Sequence, residues 1–192
     1  MAPECWHANY YRRQPAGHNP RIPYTQPQPI LPASSNLPGL SRLYARPGFL
    51  LRRAHQISAA VFEDECREAG LTPAQFGVLT VLSAQPGLGQ SSLARALGFD
   101  KVTVLRVLRG LETRGLVARS PAPDNKRNIC ASLTAAGEQL LAQAQKPAEA
   151  AHKRLLAPLD AKQQAQLLQL LKLLTGELEG DARAAFVPPA PP

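Results

Sequence analysis

Several ingredients are scarce in this sequence, and each scarcity excludes something. Cysteine occurs only at Cys5, Cys66 and Cys130, too few and too scattered for a disulfide framework or a zinc site. A reducing cytoplasm is the simplest compartment for such a chain. No apolar run approaches the roughly 18 residues that a membrane span needs. The first 48 residues also lack the continuous apolar stretch of a signal peptide. His7, His18, His55 and His152 are spread along the chain, so no set of ligands for a metal is expected. There is no glycine-rich phosphate loop and no nucleophile elbow. An enzyme, or a protein with a bound cofactor, is therefore not expected.

Acidic residues are also in short supply. Fourteen Asp and Glu face 22 Lys and Arg, a formal net charge of +8. That balance suits a polyanionic partner without identifying one. Hydrophobic residues make up 44%, enough for one core plus tails.

Proline, by contrast, is concentrated. Nine of the 19 prolines lie in residues 1–48, together with Arg12, Arg13, Arg21, Arg42 and Arg46 against the single acid Glu4. Within it, RIPYTQPQPILP (residues 21–32) cannot hold a helix, because proline removes donors and fixes φ. Residues 1–47 read as a flexible basic arm with polyproline character, either a simple extension or an arm that touches DNA or a partner subunit.

The chain is organised around residues 90–134, QSSLARALGFDKVTVLRVLRGLETRGLVARSPAPDNKRNICASLT. A short helix buries Leu93, Ala94 and Leu97, and Gly98 permits a turn. Asp100 then caps a second helix. Val104, Leu108 and Leu111, with Val107 beside them, form its apolar stripe. Its other side carries Lys101, Val102, Thr103, Arg106, Arg109 and Thr113, and the only charge before Glu112 is positive. Gly115 ends the helix, a strand starts at Leu116, and Asp124-Asn125 makes a turn. Ile129, Ala131 and Leu133 then alternate with Asn128, Cys130 and Ser132 as a half-buried strand. Lys126 and Arg127 fall at the tip of this hairpin. Helix, turn, helix and basic hairpin are the plan of a winged helix-turn-helix over residues 72–134.

Helices flank it. Residues 48–69 read as one long helix, with Leu50, Ala54, Ile57, Val61 and Cys66 on one side and Leu51, His55, Ser58 and Phe62 next to it. Thr72-Pro73-Ala74-Gln75 opens another helix with a capping box and Pro at its first position. Thr134 caps an Ala- and Leu-rich helix in which Pro147 would introduce a kink. Asp160 and Gln163 open a last one with Leu167, Leu170, Leu171, Leu174 and Leu178 on one side. Residues 48–71 and 135–179 thus read as a helical region whose apolar surplus suits a homodimer, or else a satellite helix folded on its own core. Residues 180–192, ending FVPPAPP, read as a disordered tail. The fold class is mainly α with a small β-hairpin wing and long N- and C-terminal helices.

The ordered set of residues resembles the MarR family of bacterial transcriptional regulators. Leu93-Ala94, Leu97-Gly98, Thr103-Val104 with Arg106, Leu111-Glu112 with Gly115-Leu116-Val117 and Arg119, Lys126-Arg127, and Leu133-Thr134 with Gly137 stand in the family's order. The similarity extends over roughly residues 49–178. It departs at Leu105 and Arg109, where the family often has a small hydroxyl residue and an acid, and at Asn125, where it often has Asp in the wing.

The resemblance implies a homodimer that binds double-stranded DNA at a pseudo-palindromic operator, most simply as a repressor. Thr103, Arg106 and Arg109, with Val102 beside them, would face base edges; Lys101, Arg114, Arg119, Lys126 and Arg127 would hold phosphates or the wing groove. It also implies a small aromatic acid effector bound between the long helices and the reading lobe, with Arg52, His55 and Phe76 as its candidate grip. PGFLLRRAHQIS and LTPAQFGVL further resemble regulators of nicotinate degradation, which points to a nicotinate derivative. Two alternatives stand beside this reading. One is a winged-helix protein-interaction module whose basic surface takes an acidic partner. The other is a redox sensor built on Cys66, although Glu63, Asp64, Glu65 and Glu68 around that thiol would raise its pKa and blunt its reactivity.

Overall fold

The computed structural model describes residues 38–121 and 128–189. Among the described residues, 38–46 and those from 47 onward fall in separate units. In the first, α1 (Pro38–Tyr44) is helical; residues 1–37 of the expected arm lie outside the described residues. The reason for the helix is local. Past Pro38 there is no proline until Pro47, and a proline at the first helical position is already set for helix.

In the second unit, α2 spans Pro47–Glu65. It stops short of the expected Ala69 because the chain turns over residues 66–70, with Gly70 at φ 58°. α3 (Pro73–Ala84) starts with the expected capping box: Thr72 Oγ1 accepts from the Gln75 amide at 3.3 Å, and Gln75 Oε1 accepts from the Thr72 amide at 3.0 Å. α4 (Gln90–Leu97) ends at Gly98, which adopts the left-handed conformation at φ 61°. α5 (Lys101–Thr113) follows Asp100.

Strands β2 (Val117–Pro121) and β3 (Ile129–Leu133) pair antiparallel, with Val117 opposite Leu133 and Arg119 opposite Ala131. A third strand, β1 (Leu88–Gly89), pairs with the other edge of β3, giving the order β1-β3-β2. Nothing in the sequence beyond the hairpin predicts this strand. Two residues, Leu-Gly, carry no alternation, so β1 exists only because β3 offers an edge.

The core of the reading lobe joins Leu79 and Leu82 of α3, Leu93 of α4, and Val104, Leu108 and Leu111 of α5, all at most 1% exposed. Leu116, Val117 and Ala131 close it from the sheet, and Leu141 and Ala144 from α6 (Ala135–Leu156). α6 is one helix through Pro147. Its start is built on Thr134, whose hydroxyl donates to the Gly115 carbonyl at 2.7 Å and accepts from the Gly137 amide at 3.1 Å. Gly137 has to be small: a Cβ there would stand 2.1 Å from the Leu116 carbonyl oxygen. The Leu-Thr-x-x-Gly motif is thus the joint between wing and α6.

Further along α6, Ala148 and Ala151 meet Phe62 and Cys66 of α2 in a second cluster. Arg154 locks the same pair of helices, donating to Asp64 at 2.6 Å and Glu65 at 2.9 Å. Arg67 adds an ion pair to Asp64. These two guanidinium groups, Arg154 foremost, hold the Asp64 carboxyl below its ordinary range.

The last helix, α7 (Ala161–Glu177), has the expected capping box of Asp160 and Gln163 and buries no residue. Leu167, Leu168, Leu170, Leu173, Leu174 and Leu178 are exposed, as are Leu50, Leu51 and Ile57 on α2. A 3-10 turn, Glu179–Asp181, follows. Beyond it the Val187 amide donates to the Arg95 carbonyl of α4 at 2.9 Å.

Candidate nucleic-acid interface

α5 is the element that presents charge. Its buried stripe of Val104, Leu108 and Leu111 fixes which side is left for solvent. On that side Lys101, Val102, Arg106 and Arg109 are exposed, Val102 at 72%. Val102, Arg106, Arg109 and Thr113 follow one another at helical spacing, so they share a stripe.

The start of α5 is firmly held. Asp100 Oδ1 accepts from the amides of Val102 at 2.9 Å and Thr103 at 2.8 Å, while the Thr103 hydroxyl donates to Oδ2 at 2.7 Å. The Thr103 amide, then its hydroxyl, lower the pKa of the Asp100 carboxyl. Thr103 is therefore half-buried and its hydroxyl is already engaged at the cap. Gln90 Nε2 donates to the Lys101 carbonyl at 3.2 Å, tying α4 to the same first turn.

Three expected phosphate contacts fare differently. Arg119 on β2 donates from Nε at 2.9 Å and Nη2 at 2.5 Å to Glu112 Oε2. This pair neutralises the only acid of α5 and fastens the wing strand to it. Arg114 donates to the carbonyls of Gly70 at 2.8 Å and Ala69 at 3.0 Å, closing the turn after α2. Its guanidinium is thus a structural clasp. Lys101 remains exposed, and among the described residues Lys101, Arg106 and Arg109 form no ion pair. Lys126 and Arg127 lie outside the described residues. Arg114 is engaged by the turn after α2 and Arg119 by α5; sequence does not distinguish such ties, since a basic residue beside a turn looks alike whether it is used inside or outside.

A cleft of about 170 Å³ lies among α2, α3 and α6. Ser58, Phe62, Phe76, Gly77, Ala151 and His152 are among its lining residues, and the rings of Phe62 and Phe76 stand 5.4 Å apart at 58°. Of the three expected effector contacts only Phe76 lines it. His55 is exposed, one turn before Ser58 on the stripe that leads to Phe62. Arg52 is exposed two turns before Ser58, donating to Gln56 Oε1 at 3.2 Å and lying 4.9 Å from the Phe49 ring centroid. Ser58 and His152 are the polar groups the sequence reading passed over. Ser58 was legible from its spacing to His55 and Phe62, but His152 needed the packing of α6 on α2.

Cys66 is 1% exposed. Burial, and then the Glu65 carboxylate, push its thiol above the ordinary value, which makes it a poor redox sensor.

The profile of the MarR family matches residues 71–129. A protein of Thauera aromatica named for transcriptional regulation of the hcr operon is 34% identical over 149 residues, which cover 74% of this chain and 88% of that one. The chain belongs to the MarR family.

Solved members of the family share its architecture. The transcriptional repressor CouR, bound to a 23-mer DNA duplex, is 33% identical, with a TM-score of 0.64 over 71% of this chain and 96% of that one. BpsR of Bordetella bronchiseptica, whose DNA binding is regulated by 6-hydroxynicotinic acid, is 30% identical, with a TM-score of 0.64 over 69% of this chain and 94% of that one. The fold and the relatives are those of DNA-binding transcriptional regulators of the winged helix-turn-helix type, not of enzymes. Among the described residues no helix is long and apolar enough to cross a membrane.

Proposed function

We propose that this regulator is a cytoplasmic homodimeric repressor that holds a pseudo-palindromic operator and releases it when a small aromatic acid binds. The observation that carries the reading is the outer stripe of α5. Among the described residues Arg106 and Arg109 are exposed without a carboxylate partner, on a helix whose only acid is taken by Arg119. A helix seated in the major groove uses arginine of this kind to take guanine O6 and N7 together. Lys101 at the first turn, with Lys126 and Arg127, supplies phosphate contacts, which position without reading sequence. Arg114 and Arg119 act indirectly, by holding the turn after α2 and the wing strand in place.

The dimer reading rests on the apolar surfaces of α2 and α7, which nothing in the chain covers among the described residues. Two copies related by a two-fold axis present two α5 helices to half-sites about one helical turn apart.

The effector reading rests on the cleft beside Phe62 and Phe76. Its volume of about 170 Å³ lies below the range of roughly 300–1,000 Å³ usual for drug-sized ligands, so it suits a single ring with small substituents. The ring rests on the two phenylalanines, and Ser58 and His152 offer the polar contacts within the cleft, while His55 and Arg52 lie outside it, further along α2. The regulation of BpsR by 6-hydroxynicotinic acid supports a hydroxylated pyridine carboxylate as the first compound to try. Because the cleft is lined by α2, α3 and α6, an occupant shifts the reading lobe against the long helices and changes the spacing of the two α5 helices.

The test is a titration against the DNA upstream of the protein's own gene, with a scrambled duplex beside it, at two salt concentrations. Tight binding to the first and weak, steeply salt-dependent binding to the second is expected. Adding 6-hydroxynicotinate should weaken only the specific complex. Equal weak binding to both duplexes would remove sequence reading from the proposal.

A further inference from the structure

The segment after the last helix returns to the helix-turn-helix. At the 3-10 turn the amides of Asp181 and Ala182 donate back to Leu178 and Glu179 at 3.0 and 3.1 Å. Glu179 Oε1 then accepts from the Phe186 amide at 2.8 Å, which bends the chain toward α4. The next amide, Val187, donates to the Arg95 carbonyl at 2.9 Å. That carbonyl also receives the Gly98 amide at 3.3 Å, the bond that closes the C-terminal end of α4. Phe186 lies over Gly98 itself: a Cβ on Gly98 would stand 3.8 Å from the Phe186 Cβ. Val187, Pro188 and Pro189 continue along a shallow cavity formed with Gln85, Leu88, Ser92, Arg95 and Ala96.

We propose that residues 186–189 are a strap that buttresses the turn between α4 and α5 and couples the last helix to the DNA-reading pair. Gly98 and Phe99 are the only residues between the end of α4 and Asp100, the cap of α5. The conformation of this short turn therefore sets the angle at which α5 leaves α4. Gly98 has no side chain to brace it, and the strap supplies a phenyl ring and a hydrogen bond at that point. Pro188 and Pro189 hold their own φ near the extended value, so docking orders less freedom than another dipeptide would lose. Since the strap starts at the end of α7, a change in the seating of α7 reaches α4 directly, without passing through α6 and the wing.

The strap itself does not depend on the function proposed above; only its effect on DNA does. Two readouts separate the failures. Hydrogen exchange on the full chain and on a chain ending at Ala185 needs no DNA. The amides of Gly98 and Phe99 are expected to lose about tenfold in protection on truncation, as a locally loosened turn does. Phe186→Ala should lose part of the same protection. Unchanged exchange in the truncated chain overturns the strap. If the exchange changes, the truncated chain should also bind the specific duplex several-fold more weakly, while keeping the same oligomeric state.

The chain that provides the strap is read from a cysteine pair, Gly98→Cys with Phe186→Cys, in a background with Cys5→Ser and Cys130→Ser. The Cβ separation lies in the disulfide range. An internal crosslink that leaves the mass on a non-reducing gel unchanged supports a strap within one chain; a covalent dimer overturns it. If the left-handed backbone at Gly98 blocks folding of that variant, the exchange comparison decides alone.

Discussion

At the scale of single residues, two positions carry sharp expectations. Arg106 is exposed on the outer stripe of α5 and forms no ion pair among the described residues. Arg106→Ala should cost about 1–3 kcal/mol on the specific duplex and relax preference at one base pair, while leaving binding to scrambled DNA little changed. Equal losses on both duplexes would make Arg106 a phosphate contact. Gly137 is the opposite case, a residue whose value is what it lacks. With the Leu116 carbonyl oxygen 2.1 Å from where a Cβ would be, Gly137→Ala must push the wing strand off α6. Helix propensity alone would favour alanine, yet the expected outcome is a loss of about 1–3 kcal/mol from overpacking. Thermal unfolding checks this; an increase in melting temperature would show that the joint gives way freely.

At the scale of elements, α5 depends on its cap. The Asp100 carboxylate takes two amides and one hydroxyl, and its pKa lies below the ordinary aspartate value of about 3.9. A lowered pKa in the folded state means that the cap contributes fully above the unfolded value and is lost as pH falls through the folded one. The amides at the start of α5 should therefore stay protected at pH 5 and lose protection, measured against their intrinsic exchange rate at each pH, as the pH falls below the ordinary aspartate value. Asp100→Asn keeps an acceptor but cannot titrate, so its exchange should show no such step over the same range. A step that survives in the variant would assign it to another acid.

The same scale shows how legibility varied. Capping boxes at Thr72 and Asp160 and the Asp100 cap could be read directly, because each is a bond within one turn of helix. β1 could not, because two residues become a strand only beside β3. Nor could the employment of Arg114 by the Gly70 and Ala69 carbonyls, 44 and 45 residues away in sequence. The helix α1 was hidden by the proline content of the residues before it, which says nothing of the proline-free run between Pro38 and Pro47.

At the scale of the whole molecule, the open question of assembly comes down to leucine. α7 buries none of its residues, yet Leu167, Leu170 and Leu174 recur along one side of it. Burying a leucine side chain fully is worth about 1.5–3 kcal/mol, so several of them on each of two copies supply a substantial driving force. Leu170→Glu with Leu174→Glu should convert a dimer to a monomer in light scattering after size-exclusion chromatography. The fold of the reading lobe should survive, since neither residue touches its core. A dimer that persists would place the contact on α2 instead.

The sequence by itself determined what depends on neighbours along the chain and on pattern. It settled the starts of α3, α5, α6 and α7, the two-helix-and-wing plan of residues 90–134, the excess of positive charge, the family, and the surplus of leucine on α7. These survive without tertiary information because periodicity, caps and ordered motifs are local. Only the tertiary structure decided which cations are spent inside the fold and which remain outside. It brought Ser58 and His152 together at one cleft and set the chain after α7 against Arg95 and Gly98. Those outcomes depend on distances between residues far apart in the chain, and one sequence carries no record of such distances until its helices pack.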